Sequence, residues 1–173
     1  SINMVTLTNP GNPTGVTLDR RVLQEAVDIC GEYSCWLVLD CTYEYFTANG
    51  QPFQGCFADP HVIHIFSLSK AYALAGYRCG YVAVSKQAGG LFAEMLKVQD
   101  TIPIAPSRIS QVAAAGALEA GPAWVREKVA TLDVGRRAIL EALSPLPMMG
   151  GSGAMYGMAK LPGSTTSTDA DDV

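Results

Sequence analysis

The sequence predicts an α/β fold. Short apolar runs at 36–39 and 61–66, which are typical of buried strands, alternate with longer stretches of helical periodicity. The first run ends at Asp40 and the second at Ser67, two polar residues that do not suit a hydrophobic core. Because ligands of open α/β sheets collect at the carboxyl ends of strands, both are candidate site residues. The residues alone do not fix the direction of any strand.

The first predicted elements are a strand over 2–8 and a helix that ends at about Gly31. Proline and glycine punctuate 9–15 as a turn between them, and Thr17 or Asp19 could cap the helix. The apolar side of this helix is predicted to consist of Val22, Ala26, Ile29 and Cys30.

The later elements follow the two apolar runs. A third strand is predicted over 80–84, paired with its neighbour, and a helix over 91–100 that two prolines then interrupt. An alanine-rich helix is predicted over 107–120, and Gly121-Pro122 separates it from a longer helix over about 123–143. We find no internal repeat.

The composition argues against two classes of partner. Charged residues make up 16% and hydrophobic residues 49%, and the formal net charge is -4. An acidic balance without a dense Lys/Arg run gives no reason to expect nucleic acid or a membrane surface, and no apolar stretch reaches the roughly 20 residues that span a bilayer. Soluble domains average about 25% charged residues, so we expect missing sequence or a partner subunit to cover some apolar surface.

The cysteines indicate a reducing compartment. The five of them form no CxxC pair and lack the regular spacing of a disulfide framework. We therefore predict free thiols and a cytoplasmic protein, with a targeting segment upstream of Ser1 left open. Only His61 and His64 are available as imidazole ligands, so we expect no metal site.

Lys70 and Asp40 could carry chemistry. A lysine amine can hold a cofactor aldehyde as an imine, and burial or a nearby cation would lower its pKa from about 10.4, so that the released amine acts as a base. A carboxylate about 4 Å from a ring nitrogen contributes roughly 4 kcal/mol at an effective dielectric of about 20, which keeps that nitrogen protonated. The plainer alternatives are a solvated surface lysine and a helix-capping aspartate.

Other polar residues could bind the rest of such a cofactor. Arg78 offers a planar, permanently charged fork for phosphate oxygens, and Ser67 and Ser69 add hydroxyl donors. Asn12 and Tyr43 could donate to a ring oxygen of the cofactor. The alternatives are a surface salt bridge for Arg78, polar strand ends for the serines and a turn role for Asn12.

The order of these residues resembles the class I/II, fold-type I pyridoxal-phosphate (PLP) aminotransferases. In that family NPTG is followed by Asp-x-x-Tyr and then by Ser-x-x-Lys, with an arginine eight residues beyond the lysine, which is the order and spacing of this chain. The matching positions are Asn12–Gly15, Asp40 with Tyr43, Ser67 with Lys70, and Arg78.

Two longer segments extend the resemblance over nearly the whole chain. Segment 67–81 is similar to the family phrase SFSKxYxMAGWRxGY, and segment 151–162 to the small-domain phrase GAFYxFxKLP, with Met155 in place of its usual aromatic. The resemblance implies that 1–121 belongs to a large PLP-binding domain with a mixed, mostly parallel sheet and flanking helices. Residues 122–173 would then be an interdomain helix and the start of a small C-terminal domain.

The resemblance also implies a role for each residue. Lys70 would form the imine and carry the proton, and Asp40 would face the pyridine nitrogen. Asn12 and Tyr43 would bind the 3-oxygen, and Ser67, Ser69 and Arg78 would bind the phosphate. Tyr43 fits better than Tyr45 because it has the family's three-residue spacing from Asp40.

The implied function is transamination between an amino acid and a 2-oxo acid, with PLP as cofactor and a homodimer as the complete protein. Aromatic, methionine-like and aliphatic amino donors all stay open. The enzymatic alternative is a PLP-dependent C–S lyase or an aminocyclopropane-carboxylate-synthase-like enzyme, and the other is a non-catalytic truncated fragment. We expect the chain to lack upstream phosphate-binding and ring-stacking segments and a downstream carboxylate-binding arginine, so activity of the 173 residues alone is in doubt.

Overall fold

A computed structural model describes residues 2–47 and 51–162, and it confirms the predicted alternation of strands and helices. The large sheet and its connections contain β1 (Met4–Thr8), α1 (Arg20–Glu32), β2 (Trp36–Asp40), β3 (Val62–Ser67), a 3-10 turn (Ala75–Tyr77) and β4 (Gly80–Val84). The remaining elements are α2 (Leu91–Thr101), α3 (Arg108–Ala130), α4 (Leu132–Ala142) and the two-residue strands β5 (Met148–Met149) and β6 (Met158–Ala159).

The large sheet has the strand order β1-β2-β3-β4. Strand β2 pairs in parallel with both β1 and β3, and β4 pairs antiparallel with β3. The sheet is therefore mixed and mostly parallel. Asp40 is the register partner of Thr8 on one side and of Ile65 on the other, so the three parallel strands end at one edge. Strands β5 and β6 form a separate antiparallel pair.

Helix α1 begins after Asp19, whose side chain accepts a hydrogen bond from the amide of Val22, as an N-cap does. Its buried residues are Leu23, Val27 and Cys30. The predicted apolar side was wrong at Ile29, which is 57% exposed, and at Val22, which is also exposed. The predicted residues and the buried residues both have helical spacing, but most of the predicted positions are shifted by one residue. Which residues are buried depends on the side of the helix that packs on the sheet.

Two hydrophobic clusters hold these elements together. The first joins α1 to the sheet and contains Leu23, Val27, Cys30, Cys35, Leu37, Leu39, Cys41, Phe57, Val62 and Phe66. The second lies beyond the carboxyl ends of the strands and contains Tyr43, Phe46, Leu68, Ala71, Tyr72, Ala114, Val125 and Ala154. The second cluster connects the loops after β2 and β3 to α3 and to the segment between β5 and β6. All five cysteines are free thiols.

The helices after the sheet differ from the prediction at one point. Gly121 has a φ of 75° and kinks α3, and the chain resumes as a helix directly after it, so a break at Gly121-Pro122 is present as a bend. The single helix predicted over 123–143 is wrong, because α3 ends at Ala130 and α4 begins at Leu132. The side chain and amide of Thr131 both donate to the carbonyl of Lys128, which ends the regular pattern there.

Neither α2 nor α4 has a buried residue. Phe92, Ile102 and Ile139 are exposed by 66%, 76% and 60%. Within the described ranges, none of the helices combines the length and apolar character required to cross a membrane.

Candidate active site

Asp40 lies at the carboxyl end of β2 and is half-buried. Its Oδ1 accepts a hydrogen bond of 3.0 Å from the amide of Thr42, and its backbone carbonyl accepts one of 3.0 Å from the amide of Asn9. This bond caps the turn that follows β2, so the capping role that was the alternative for Asp40 is present. A carboxylate has two oxygens, so a turn bond to Oδ1 is compatible with a second partner at Oδ2.

The loops after β1 and β2 bring Asn12 and Tyr43 together. The amide nitrogen Nδ2 of Asn12 lies 3.5 Å from the hydroxyl oxygen of Tyr43, which is the outer limit of a hydrogen bond. Tyr45 instead lies with its hydroxyl 3.5 Å from that of Tyr72. The structure thus separates the two tyrosines, and the one beside Asn12 is the one with the predicted spacing from Asp40.

The hydroxyl of Tyr43 has a second partner that the sequence did not indicate. It lies 2.5 Å from the hydroxyl of Tyr156, and the two rings meet edge to face with centroids 5.4 Å apart. Burial, followed by the hydrogen bond to Tyr156, raises the pKa of Tyr43 to about 12. The phenol of Tyr43 is therefore protonated at neutral pH and can donate a hydrogen bond.

The structure brings Ser67, Ser69 and Arg78 to the wall of one cavity of about 680 Å³. Ser67 ends β3 and is the register partner of Gly80 on β4, and its hydroxyl accepts a hydrogen bond of 3.1 Å from the amide of Ser69. The turn between β3 and β4 carries Arg78 back to these serines. Serine hydroxyls and an arginine guanidinium are groups that suit the oxygens of a phosphate.

Arg78 has an unusual backbone conformation for a side chain of its size. Its φ of 53° and ψ of 46° fall in the left-handed region, directly after the 3-10 turn. Such a conformation is strained by about 1–2 kcal/mol in a residue other than glycine and is often found at functional sites. Its Nη1 donates to the carbonyl of Ala75 at 2.9 Å, which fixes one edge of the guanidinium.

Lys70 lies three residues beyond the end of β3, in the turn that leads to Arg78, and is half-buried. Its backbone carbonyl accepts a hydrogen bond from the amide of Ala73. The neighbouring residues Leu68, Ala71 and Tyr72 belong to the second hydrophobic cluster, which anchors the turn on both sides of the lysine. The turn is thus fixed by packing, while the amine is carried on a flexible stem.

The side chains present fit a phosphorylated pyridine aldehyde by their chemistry. The cavity of Ser67, Ser69 and Arg78 supplies donors for an anion, and Lys70 supplies an amine in the same turn. Asp40 and the Asn12–Tyr43 pair supply an acid and neutral donors at the neighbouring strand ends. The chain is thus an α/β protein that carries these side chains at or just beyond the carboxyl edge of its parallel strands.

Comparison with known proteins extends this description. The family described as "Aminotransferase class I and II" matches residues 1–171. The "Aromatic aminotransferase ISS1" of Arabidopsis thaliana is 43% identical over 162 residues, which are 92% of this chain and 41% of that protein. The chain belongs to the class I and II aminotransferases, a PLP-dependent family.

Solved structures agree with this assignment. An aromatic aminotransferase from Pyrococcus horikoshii OT3 has a TM-score of 0.79 at 27% identity, over 92% of this chain and 44% of that one. A double mutant of Thermus thermophilus aspartate aminotransferase has a TM-score of 0.77 at 29% identity, over 88% of this chain and 41% of that one. The chain thus spans about two fifths of the length of the relatives it matches.

Proposed function

We propose that the full-length protein is a PLP-dependent aminotransferase that moves an amino group between an amino acid and a 2-oxo acid. The observation that carries this proposal is that Ser67, Ser69 and Arg78 line one cavity. These three residues and Lys70 belong to the same connection between β3 and β4, at the carboxyl edge of the sheet. Asp40 at the end of β2 and the Asn12–Tyr43 pair in the neighbouring loops add support to the proposal.

Each residue has a proposed task. Ser67, Ser69 and Arg78 would hold the phosphate, and the amine of Lys70 would hold the aldehyde end of the cofactor. When an amino donor has taken its place there, Nζ of Lys70 would serve as the general base and acid that moves the proton of the amino acid's Cα.

The remaining residues adjust the charge of the ring. PLP, when bound, supplies an electron sink for the electron pair left at Cα. Asp40 keeps the ring nitrogen protonated, and Asn12 and Tyr43 donate hydrogen bonds to the 3-oxygen. Tyr43 suits this task because its phenol is protonated at neutral pH and its oxygen lies beside the amide of Asn12.

We also propose an aromatic amino acid as the amino donor. The support is the 43% identical plant relative whose name specifies aromatic substrates. An aspartate aminotransferase has a similar structure, so the fold itself does not select the donor. Initial rates with phenylalanine, tyrosine, methionine, leucine and aspartate would rank the candidates, and a preference for aspartate would contradict this choice.

The wider organisation is proposed on the same basis. We propose that the large-domain part is 1–121 and that 122–173 forms the interdomain helix and the start of the small domain, and the kink of α3 at Gly121 supports this boundary. We propose a homodimer as the functional unit, while the cytoplasmic location stays a prediction from the cysteines. Equilibrium sedimentation of the full-length protein tests the dimer.

The decisive experiment follows visible absorbance of the full-length protein with PLP, before and after an amino acid is added. We expect a cofactor band that the amino acid changes, and we expect Lys70→Ala to abolish it. Lys86→Ala is the matched control, because Lys86 is exposed in the turn after β4 and outside the proposed set. The absence of a band that depends on Lys70 would favour the non-catalytic alternative. Release of an elimination product without an amino-acid product would favour the lyase.

A further inference from the structure

The segment 150–156, between β5 and β6, docks on the two loops that carry Asn12 and Tyr43. The amide of Gly151 donates to the carbonyl of Thr14 at 2.8 Å, and the amide of Gly153 donates to the carbonyl of Gly15 at 2.7 Å. The amide of Ala154 donates to the carbonyl of Phe46 at 2.7 Å. Backbone from the far end of the chain is thus hydrogen-bonded to both site loops.

Glycine is required for this close approach. A Cβ atom at Gly150 would overlap the carbonyl oxygen of Thr14, and one at Gly151 would overlap that of Gly15. A Cβ at Gly153 would overlap the hydroxyl of Thr17, and Gly150 also has a φ of 88°. We call Gly150, Gly151 and Gly153 the glycine clamp.

The clamp fixes the chain just before Tyr156. Ala154 is buried in the second hydrophobic cluster, and Tyr156 packs against that cluster. From this position the hydroxyl of Tyr156 reaches the hydroxyl of Tyr43 at 2.5 Å, across 113 positions in the sequence. The contact therefore follows from the docked backbone and from two packed rings.

The contact with Tyr156 limits the directions in which Tyr43 can donate its own proton. A hydroxyl has one proton to donate and two lone pairs to accept with. The amide of Asn12 donates to the oxygen of Tyr43, and when Tyr156 is the donor of the pair its proton occupies the other lone pair. The proton of Tyr43 is then directed to a third acceptor.

We propose that Tyr156 is a positioning residue, held by the glycine clamp, which aims the hydroxyl of Tyr43 at the 3-oxygen of the cofactor. The inference rests on the proposed function, since it needs Tyr43 to face that oxygen. It adds a residue from the C-terminal segment to a site otherwise formed by the loops after β1, β2 and β3.

The first test is Tyr156→Phe in the full-length protein, because it keeps the ring and removes only the hydroxyl. A weaker hydrogen bond from Tyr43 stabilises the deprotonated cofactor less, so the pH midpoint of the visible band should rise by about 0.5 to 1 unit, as one lost hydrogen bond implies. We expect kcat to fall about three- to tenfold with KM unchanged. Tyr33→Phe is the control, because Tyr33 is 70% exposed at the end of α1. A parental midpoint in Tyr156→Phe would overturn the proposal.

The double variant separates positioning from general damage. If Tyr156 acts through Tyr43, then adding Tyr156→Phe to Tyr43→Phe should change neither the midpoint nor kcat further. Additive effects would mean that Tyr156 acts independently of Tyr43, and the proposal would fail.

The clamp is tested by Gly151→Ala, which should displace Tyr156 and shift the midpoint in the same direction. Gly135→Ala in α4 is its control, since a Cβ there meets no atom of the described part of the chain within 4 Å. An unchanged midpoint in Gly151→Ala would remove the clamp from the proposal.

The proposed function and this inference fail in different ways. If the parent protein showed no band that depends on Lys70, the proposed function would be refuted. If the parent protein showed that band and Tyr156→Phe had no effect on it, this inference alone would be refuted.

Discussion

Individual residues at the site perform two tasks at once. Asp40 accepts the turn hydrogen bond from the amide of Thr42 and is also the acid at the end of β2. Arg78 holds the carbonyl of Ala75 and also lines the cavity with the serines. A simple alanine substitution would therefore disturb local structure together with chemistry, and variants that keep one task are more informative.

We predict that Asp40→Asn keeps the cofactor band but loses most turnover. Asparagine preserves the acceptor for Thr42 and removes the charge. A loss of roughly 4 kcal/mol at an effective dielectric of about 20 corresponds to about a thousandfold slower step. Single-turnover stopped-flow absorbance measures it, with Asp28→Asn on the exposed side of α1 as control. An undiminished rate would remove Asp40 from the role assigned to it.

Glu44, next to Tyr43, introduces a pH dependence of stability. Burial raises the pKa of this carboxyl to about 7 from its usual 4.5. At a pH below 4.5 both the folded and the unfolded chain hold the proton, and this contribution to stability is complete. As the pH rises from 4.5 towards about 7 the unfolded chain releases the proton first, so stability falls over that window.

We predict that Glu44→Gln flattens this pH dependence. The difference in free energy of unfolding between about pH 5 and about pH 8 should shrink by about 1–3 kcal/mol, allowing for solvent screening of a half-buried group. Urea unfolding of the full-length protein at the two pH values is the measurement. Glu25→Gln is the control, because Glu25 pairs with Arg21 at the exposed surface. If the free energy of unfolding changed equally with pH in the parent and in Glu44→Gln, the raised pKa would not belong to Glu44.

The sequence predicts residues of the site unevenly. Asn12 and Tyr43 were predicted as a pair and do lie together, because motif spacing reports which loops share a sheet edge. Tyr156 had no predicted role, because its partner is 113 positions away and no periodic pattern extends over that separation. Only the family phrase around 151–162 marked its segment as noteworthy.

At the scale of elements, strands were predicted more easily than helix faces and helix ends. The apolar runs before Asp40 and Ser67 are confirmed as β2 and β3, because a buried strand needs a continuous apolar sequence. In α1, two sets of residues with the same spacing were available, and packing selected the one with Leu23. The break at Thr131 depends on a side-chain hydrogen bond that competes with the helix and leaves little trace in composition.

Two glycines in α3 provide a matched test of the kink. We predict that Gly121→Ala lowers the free energy of unfolding by about 1–3 kcal/mol, because φ there lies in a region that side chains rarely adopt. Gly116→Ala in the same helix should instead raise it by up to about 1 kcal/mol. Among the residues that the structure describes, a Cβ at either position meets no atom within 4 Å, so crowding does not explain the difference. Thermal unfolding of both variants is the measurement, and equal stabilities would contradict the strain at Gly121.

At the scale of the whole molecule, apolar side chains are exposed along the helices that follow the sheet. Ile102 and Ile109 are exposed by 76% and 73%, and α2 and α4 have no buried residue. Contiguous exposed apolar surface is typical of a region that contacts further protein. The described residues thus resemble one side of a larger packed body, which agrees with the two fifths of relatives' length that the chain spans.

We predict that residues 1–173 expressed alone self-associate and bind a hydrophobic dye such as anilinonaphthalene sulfonate, whereas the full-length protein does so weakly. Ile109→Lys should lower dye fluorescence and light scattering of the isolated chain. Ala115→Lys, at another exposed position of α3, adds the same charge and removes little apolar area. An equal effect of the two variants would attribute the change to charge instead of apolar surface.

The glycine clamp determines which positions outside the site should tolerate no substitution. Gly150, Gly151 and Gly153 contribute no side-chain atom to the site, yet an added methyl group at each would overlap an atom of the NPTG loop or of Thr17. In saturation mutagenesis, substitutions at these three glycines should therefore reduce function as strongly as substitutions at Lys70, although the glycines carry no functional group. Such a pattern would identify a place where two backbone segments are in close contact.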